Sequence, residues 1–84
     1  MMHSSDRTDA TADSGTAVLT RLATTIRNHR AALGVSQREL AIKAGVDRAF
    51  LNGVESGKRN PTIATLAKLA IGLETTVGAL TAHL

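Results

Sequence analysis

Gln37-Arg38-Glu39-Leu40-Ala41-Ile42-Lys43-Ala44-Gly45-Val46-Asp47-Arg48-Ala49-Phe50-Leu51-Asn52-Gly53-Val54-Glu55 is the stretch on which the fold turns. Ser36 precedes it, and Ser36-Gln37-Arg38-Glu39 has the form of a capping box. The serine hydroxyl accepts from the backbone three residues on, and the glutamate reaches back. Asp47 is a second N-cap, placed where its charge meets a helix dipole. Between the caps stands Gly45, which can take a positive φ and reverse the chain without a Cβ clash. Leu40, Ala44, Val46, Leu51 and Val54 are apolar at the positions that would face a core, and Ala41 is small enough for close helix approach. The other positions are polar or small, apart from Ile42 and Phe50. This spacing predicts two short helices crossing steeply through a tight turn, a helix-turn-helix from about Ser36 to Ser56. A hairpin that only packs would not need the whole pattern at once.

Further apolar-periodic stretches lie on either side. Upstream, Leu19, Leu22, Ile26 and Leu33 share one helical face from about Thr16 to Leu33, and Gly34 suits the turn that ends it. Downstream, Asn60-Pro61-Thr62 reads as a turn and a cap, before a fourth helix carrying Ile63, Leu66, Leu69, Ala70 and Leu73. Thr76 caps a short last helix with Val77, Leu80 and Leu84. Nothing alternates long enough for a strand. The expected fold is all-α, a compact five-helix bundle over residues 16–84. Residues 1–15 are rich in Ser, Thr and Asp with little to bury, and read as a disordered tail.

Composition removes several kinds of chemistry. The 84 residues include no cysteine, so disulfides, thiolate metal sites and cysteine nucleophiles are out. His3, His29 and His83 are scattered and form no metal-ligand spacing. No Ser–His–Asp order has a supporting glycine context, and the glycines form no phosphate-cradling loop. No enzymatic step and no cofactor are expected. No apolar run approaches the ~20 residues of a membrane helix, and the first residues lack a signal-peptide layout. A cytoplasmic, nucleoid-associated protein is expected. Charge is unevenly placed. One arginine against three aspartates gives residues 1–15 a net −2, and nine Lys/Arg against four Asp/Glu give residues 16–84 a net +5. A basic domain favours polyanions, although a charged surface can also be merely solvated.

The chain resembles the Xre/Cro–CI family of helix-turn-helix regulators. The resemblance rests on Ile26-Arg27, Arg30 to Gln37, Glu39-Leu40-Ala41, Gly45-Val46, Val54 to Pro61 and Leu66 to Ala70. Asp47 to Glu55, followed by Lys58-Arg59-Asn60-Pro61, further resembles restriction–modification controller proteins. The resemblance implies a lambda-repressor-like DNA-binding domain, acting as a homodimer on palindromic double-stranded DNA. Two other readings use the same fold. One is an antitoxin that represses its own operon beside a toxin partner. The other is an adaptor that binds another regulatory protein.

In such a domain the third helix enters the major groove by its N-terminal half. Arg48 and Asn52 are four apart, and with Ala49 they lie on its outer side. Arg48 suits guanine O6 and N7, Asn52 suits adenine, and Ala49 suits a thymine methyl. Phe50, the only aromatic residue, either packs on the fourth helix or touches a base methyl or sugar beside Arg48. Ser36 and Gln37 open the second helix, where side chains and free N–H groups hold a phosphate. Ser56, Lys58 and Arg59 follow the recognition helix and are expected along the DNA backbone. The resemblance further implies a structural salt bridge between Arg30 and Glu55. Val77, Leu80 and Leu84 share a face of the last helix, part of which is expected to stay exposed in one copy and to be buried at a two-fold dimer interface; the competing reading is that Leu80 completes the core of a single chain.

Overall fold

The computed structural model describes the side chains of residues 15–84. The backbone of the first helix runs back through most of the segment expected as a tail, starting at Met2 rather than about Thr16, and the side chains of residues 1–14 lie outside those described. Five helices follow in order: α1 (Met2–Leu33), α2 (Gln37–Ala44), α3 (Arg48–Glu55), α4 (Ile63–Gly72) and α5 (Val77–Thr81). No strand occurs among the described residues.

The helix starts are set by local chemistry. Ser36, Asp47, Thr62 and Thr76 are all N-caps, each accepting from the backbone N–H three residues on. At α2 the capping box is complete, because Glu39 also accepts from the Ser36 N–H at 2.8 Å. The turn between α2 and α3 is made by Gly45, at φ 68°. There the Val46 N–H donates to the Ala41 carbonyl at 3.0 Å, which closes α2 and launches Asp47.

One core holds the helices together. Leu22, Ala23 and Ile26 of α1 meet Leu40, Ala41 and Ala44 of α2, Leu51 and Val54 of α3, and Leu66, Leu69, Ala70 and Leu73 of α4. Burying each large aliphatic side chain contributes about 1.5–3 kcal/mol. Val35, Val46, Phe50 and Val77 pack around the margin, half-buried. α4 turns two large apolar residues, Ile63 and Ile71, outward. Ile63 heads its first turn and is 70% exposed, because the core side of α4 is already taken by Leu66, Leu69 and Leu73.

Leu80 corrects the expected assignment of the last helix. It is 1% exposed within the single chain. α5 tucks against both α4 and α1, and Leu80 is the side chain that fills the space between them. It completes the core of one chain and is not a free surface for a second.

Candidate nucleic-acid interface

α3 divides sharply into two sides. Leu51 and Val54 are fully buried, while Arg48, Ala49 and Asn52 are exposed. The amphipathic spacing of the sequence does this directly: core positions pin the helix, and the residues between them must face outward. Gln37, from the first turn of α2, joins Arg48, Ala49 and Asn52 in lining one open depression of about 370 Å³. The structure thus brings together a guanidinium, two side-chain amides and a small residue. Their donors and acceptors suit the edges of bases. Phe50 is half-buried and packs against the core.

Behind this surface lies a hydrogen-bonded network. Glu55 is buried at the end of α3, and Arg30 of α1 holds both of its carboxylate oxygens at 2.9 Å. The same guanidinium donates to the Val35 carbonyl at 3.2 Å. The expected pair is therefore present, and it ties α1 to α3. Gln37 Nε2 donates to Glu55 Oε1 at 3.3 Å, and Asn52 Nδ2 donates to Gln37 Oε1 at 3.3 Å. The side chain of Gln37 is thus engaged within the protein. Arg27 carries part of the family resemblance but has no role that its place in the sequence declares. Its guanidinium donates to the backbone carbonyl of Glu55, placing a cation at the C-terminal end of α3. The available signal was spacing, since Arg27 and Arg30 are three apart and share a face of α1.

The residues expected along phosphates lie at the edges of the same surface. Ser36 is exposed, and its Oγ accepts from the Glu39 N–H at 3.0 Å. The hydrogen bonds of this cap, from Ser36 backbone and side chain, hold the Glu39 carboxyl below its usual range. Ser56 is exposed, with its hydroxyl donating to the Gly53 carbonyl at 3.1 Å. Lys58 and Arg59 are exposed, and both backbone N–H groups donate to that same carbonyl, at 2.9 and 3.1 Å. The loop thereby folds back on α3. The stem of Arg59 lies so close to Gly53 that a Cβ there would come within 2.3 Å of Arg59 Cγ.

Of the three residues expected at a dimer interface, Leu80 is core, Val77 is half-buried against that core, and only Leu84 is exposed. The larger exposed apolar side chains are Ile42 on α2 and Ile63 and Ile71 on α4. Among the described residues no group of three His, Asp or Glu side chains could hold a metal, and no helix is long and apolar enough to cross a membrane.

Relatives of known kind share the sequence and the fold of the chain. The chain is 42% identical over 52 residues to the HTH-type transcriptional regulator SutR of Escherichia coli (strain K12), a match covering 62% of the chain and 29% of SutR. It thus spans less than a third of that relative's length. Against the crystal structure of the restriction–modification controller protein C.AhdI from Aeromonas hydrophila, the TM-score is 0.74 at 38% identity, covering 76% of this chain and 97% of that one. Against C.Esp1396I bound to a 19 base pair DNA duplex, the TM-score is 0.70 at 32% identity, covering 75% of this chain and 84% of that one. The helix-turn-helix family HTH_3 matches residues 26–80, from the core of α1 through Leu80. The chain belongs to the HTH_3 helix-turn-helix family, together with these transcriptional regulators and controller proteins.

Proposed function

We propose that this protein regulates transcription by binding a specific double-stranded DNA sequence as a homodimer, with no catalytic step. The observation that carries the reading is the outer side of α3. Arg48, Ala49 and Asn52 are exposed together there, on a domain of net charge +5, and a relative of the same fold is bound to a DNA duplex. α3 enters the major groove and reads base edges, while Ser36, Ser56, Lys58 and Arg59 hold phosphates and fix register. Regulation is by occupancy of a promoter. A two-fold dimer places two copies of α3 about 34 Å apart, one turn of DNA. With Leu80 committed to the core, the large exposed apolar side chains are Ile42 on α2, Ile63 and Ile71 on α4 and Leu84 beyond α5, and the second copy is assigned to the α4 face, where two of them lie together.

Selection from a pool of random duplexes tests this. The wild type should enrich a two-fold symmetric sequence. Arg48→Ala should lose about 1–3 kcal/mol on that sequence and relax one base pair per half-site. Lys58→Ala and Arg59→Ala should weaken binding to every duplex and flatten the salt dependence by about one unit each. A protein that enriches no sequence is not a specific regulator.

A further inference from the structure

Among the described residues Glu55 is the one buried charged side chain, and it heads a directed chain of hydrogen bonds that ends on the outer side of α3. Arg30 grips both of its oxygens. A carboxylate paired in this way only accepts, so the part of the Gln37 amide that faces it must be the NH₂ group. Gln37 Nε2 indeed stands 3.3 Å from Glu55 Oε1. The Gln37 oxygen is then forced to point away, toward Asn52. A carbonyl oxygen also only accepts, so Asn52 must in turn present its NH₂, and Nδ2 lies 3.3 Å away. The orientation of an exposed amide is thereby dictated from the interior, through one intermediary.

This order matters for what Asn52 can read. Adenine offers a donor and an acceptor side by side in the major groove, whereas guanine offers two acceptors. An amide that can flip presents donor and acceptor in either order, whereas one held in place presents a single order. Water competes for the outer link in the free protein. Once a base displaces that water, the local dielectric falls and the link strengthens.

We propose that Gln37 is a specificity-positioning residue: it relays the polarity of Glu55 to Asn52 and so fixes which base Asn52 accepts. The inference rests on the DNA-binding reading above, and it moves Gln37 from phosphate contact to positioning. The deciding variant is Gln37→Met, similar in length but unable to relay. It leaves the Arg30–Glu55 pair in place, and circular dichroism checks that it is folded. The base pair read by Asn52 is first found as the one whose preference disappears in Asn52→Ala, using the duplex selected from the random pool.

Gln37→Met should then lose preference at that same base pair, on the order of tenfold. Its affinity for an unrelated duplex and its salt slope should stay unchanged. The double variant should discriminate no worse than Asn52→Ala alone, because both act through one contact. In nitrogen-15 spectra of the free protein, the Asn52 side-chain amide signals should move in Gln37→Met. A variant that weakens all duplexes equally and flattens the salt slope by about one unit would make Gln37 a phosphate contact and overturn the proposal. Additive losses in the double variant, unmoved Asn52 signals, or an Asn52→Ala that changes no base preference would overturn it as well. A wild type that selects no duplex at all removes the DNA reading itself, which is a distinct result.

Discussion

Gly53 stands in the middle of α3, where alanine would favour the helix by about 1 kcal/mol. The position nevertheless lacks a side chain, and Arg59 occupies the space where a Cβ would sit. The missing methyl is thus a seat for the Arg59 stem, which the loop brings back over α3. Gly53→Ala should change stability by no more than about 1 kcal/mol, since the propensity gain and the displacement of Arg59 oppose each other. It should weaken DNA binding about as much as Arg59→Ala does, and the two substitutions together should cost little more than either. Melts of the free protein and duplex titrations of all three variants check this. Full additivity would mean that Gly53 does not seat Arg59. The sequence could not show this seat. Arg48 and Asn52 were legible as outward residues because helical period alone places them. The partners of Arg59, Gln37 and Arg27 lie on other elements or across a loop, and no local pattern encodes which atoms those side chains meet.

Apart from α1, which begins at Met2 rather than about Thr16, the starts of the helices were legible. Ser36, Asp47, Thr62 and Thr76 declare their helices because a cap acts within three residues. Glu39 should make one of these starts sensitive to acid. Its folded carboxyl titrates below the ordinary range, so its contribution is present above the unfolded value, about 4.3, and is lost as pH falls through the folded one. Backbone amides at the start of α2 should lose exchange protection over that interval. Glu39→Gln should remove this part of the pH response, and an unchanged profile would rule the carboxylate out. At the helix ends, α1, α2 and α3 close through Gly34, Gly45 and Gly57, all at positive φ. α4 closes with the same pair of bonds, Glu74 N–H to Ile71 and Thr75 N–H to Ala70, but with Glu74 at φ 58°. A glutamate is no signal for such a turn, which is why that end was not readable. A side chain there costs about 1 kcal/mol, and the exposed Lys43–Glu74 pair at 3.5 Å returns only about 0–1 kcal/mol. Glu74→Gly should therefore stabilise the domain slightly, by up to about 1 kcal/mol, raising the urea midpoint without changing the slope. A lowered midpoint would mean that the Lys43 contact outweighs the strain.

At the scale of the whole molecule, the period of an apolar pattern tells which residues share a face but not which neighbour covers it. Val77, Leu80 and Leu84 illustrate this. Their spacing is helical, yet α1 and α4 already enclose Leu80, while Leu84 is left outside. The outer side of α4 shows the reverse case. Ile63 and Ile71 are eight positions apart, within about 80° around the helix, and both are largely exposed at 70% and 75%. Two arginine substitutions separate the roles. Leu80→Arg puts an unpaired charge into the core, a cost of several kcal/mol that a domain of this size can hardly offset, so it should unfold. Ile71→Arg replaces a side chain that solvent already reaches, so the chain should keep its helical spectrum and melting behaviour. If the α4 face joins two copies, the arginines would meet across the two-fold axis or lie at its edge, desolvated without a partner. Wild type should then sediment as a dimer and Ile71→Arg as a folded monomer, with weaker binding to a two-site duplex but unchanged binding to a half-site. A folded Ile71→Arg that still sediments as a dimer would move the contact off this face. A wild type that stays monomeric even on the two-site duplex would end the dimer reading, leaving α3 to read a single half-site.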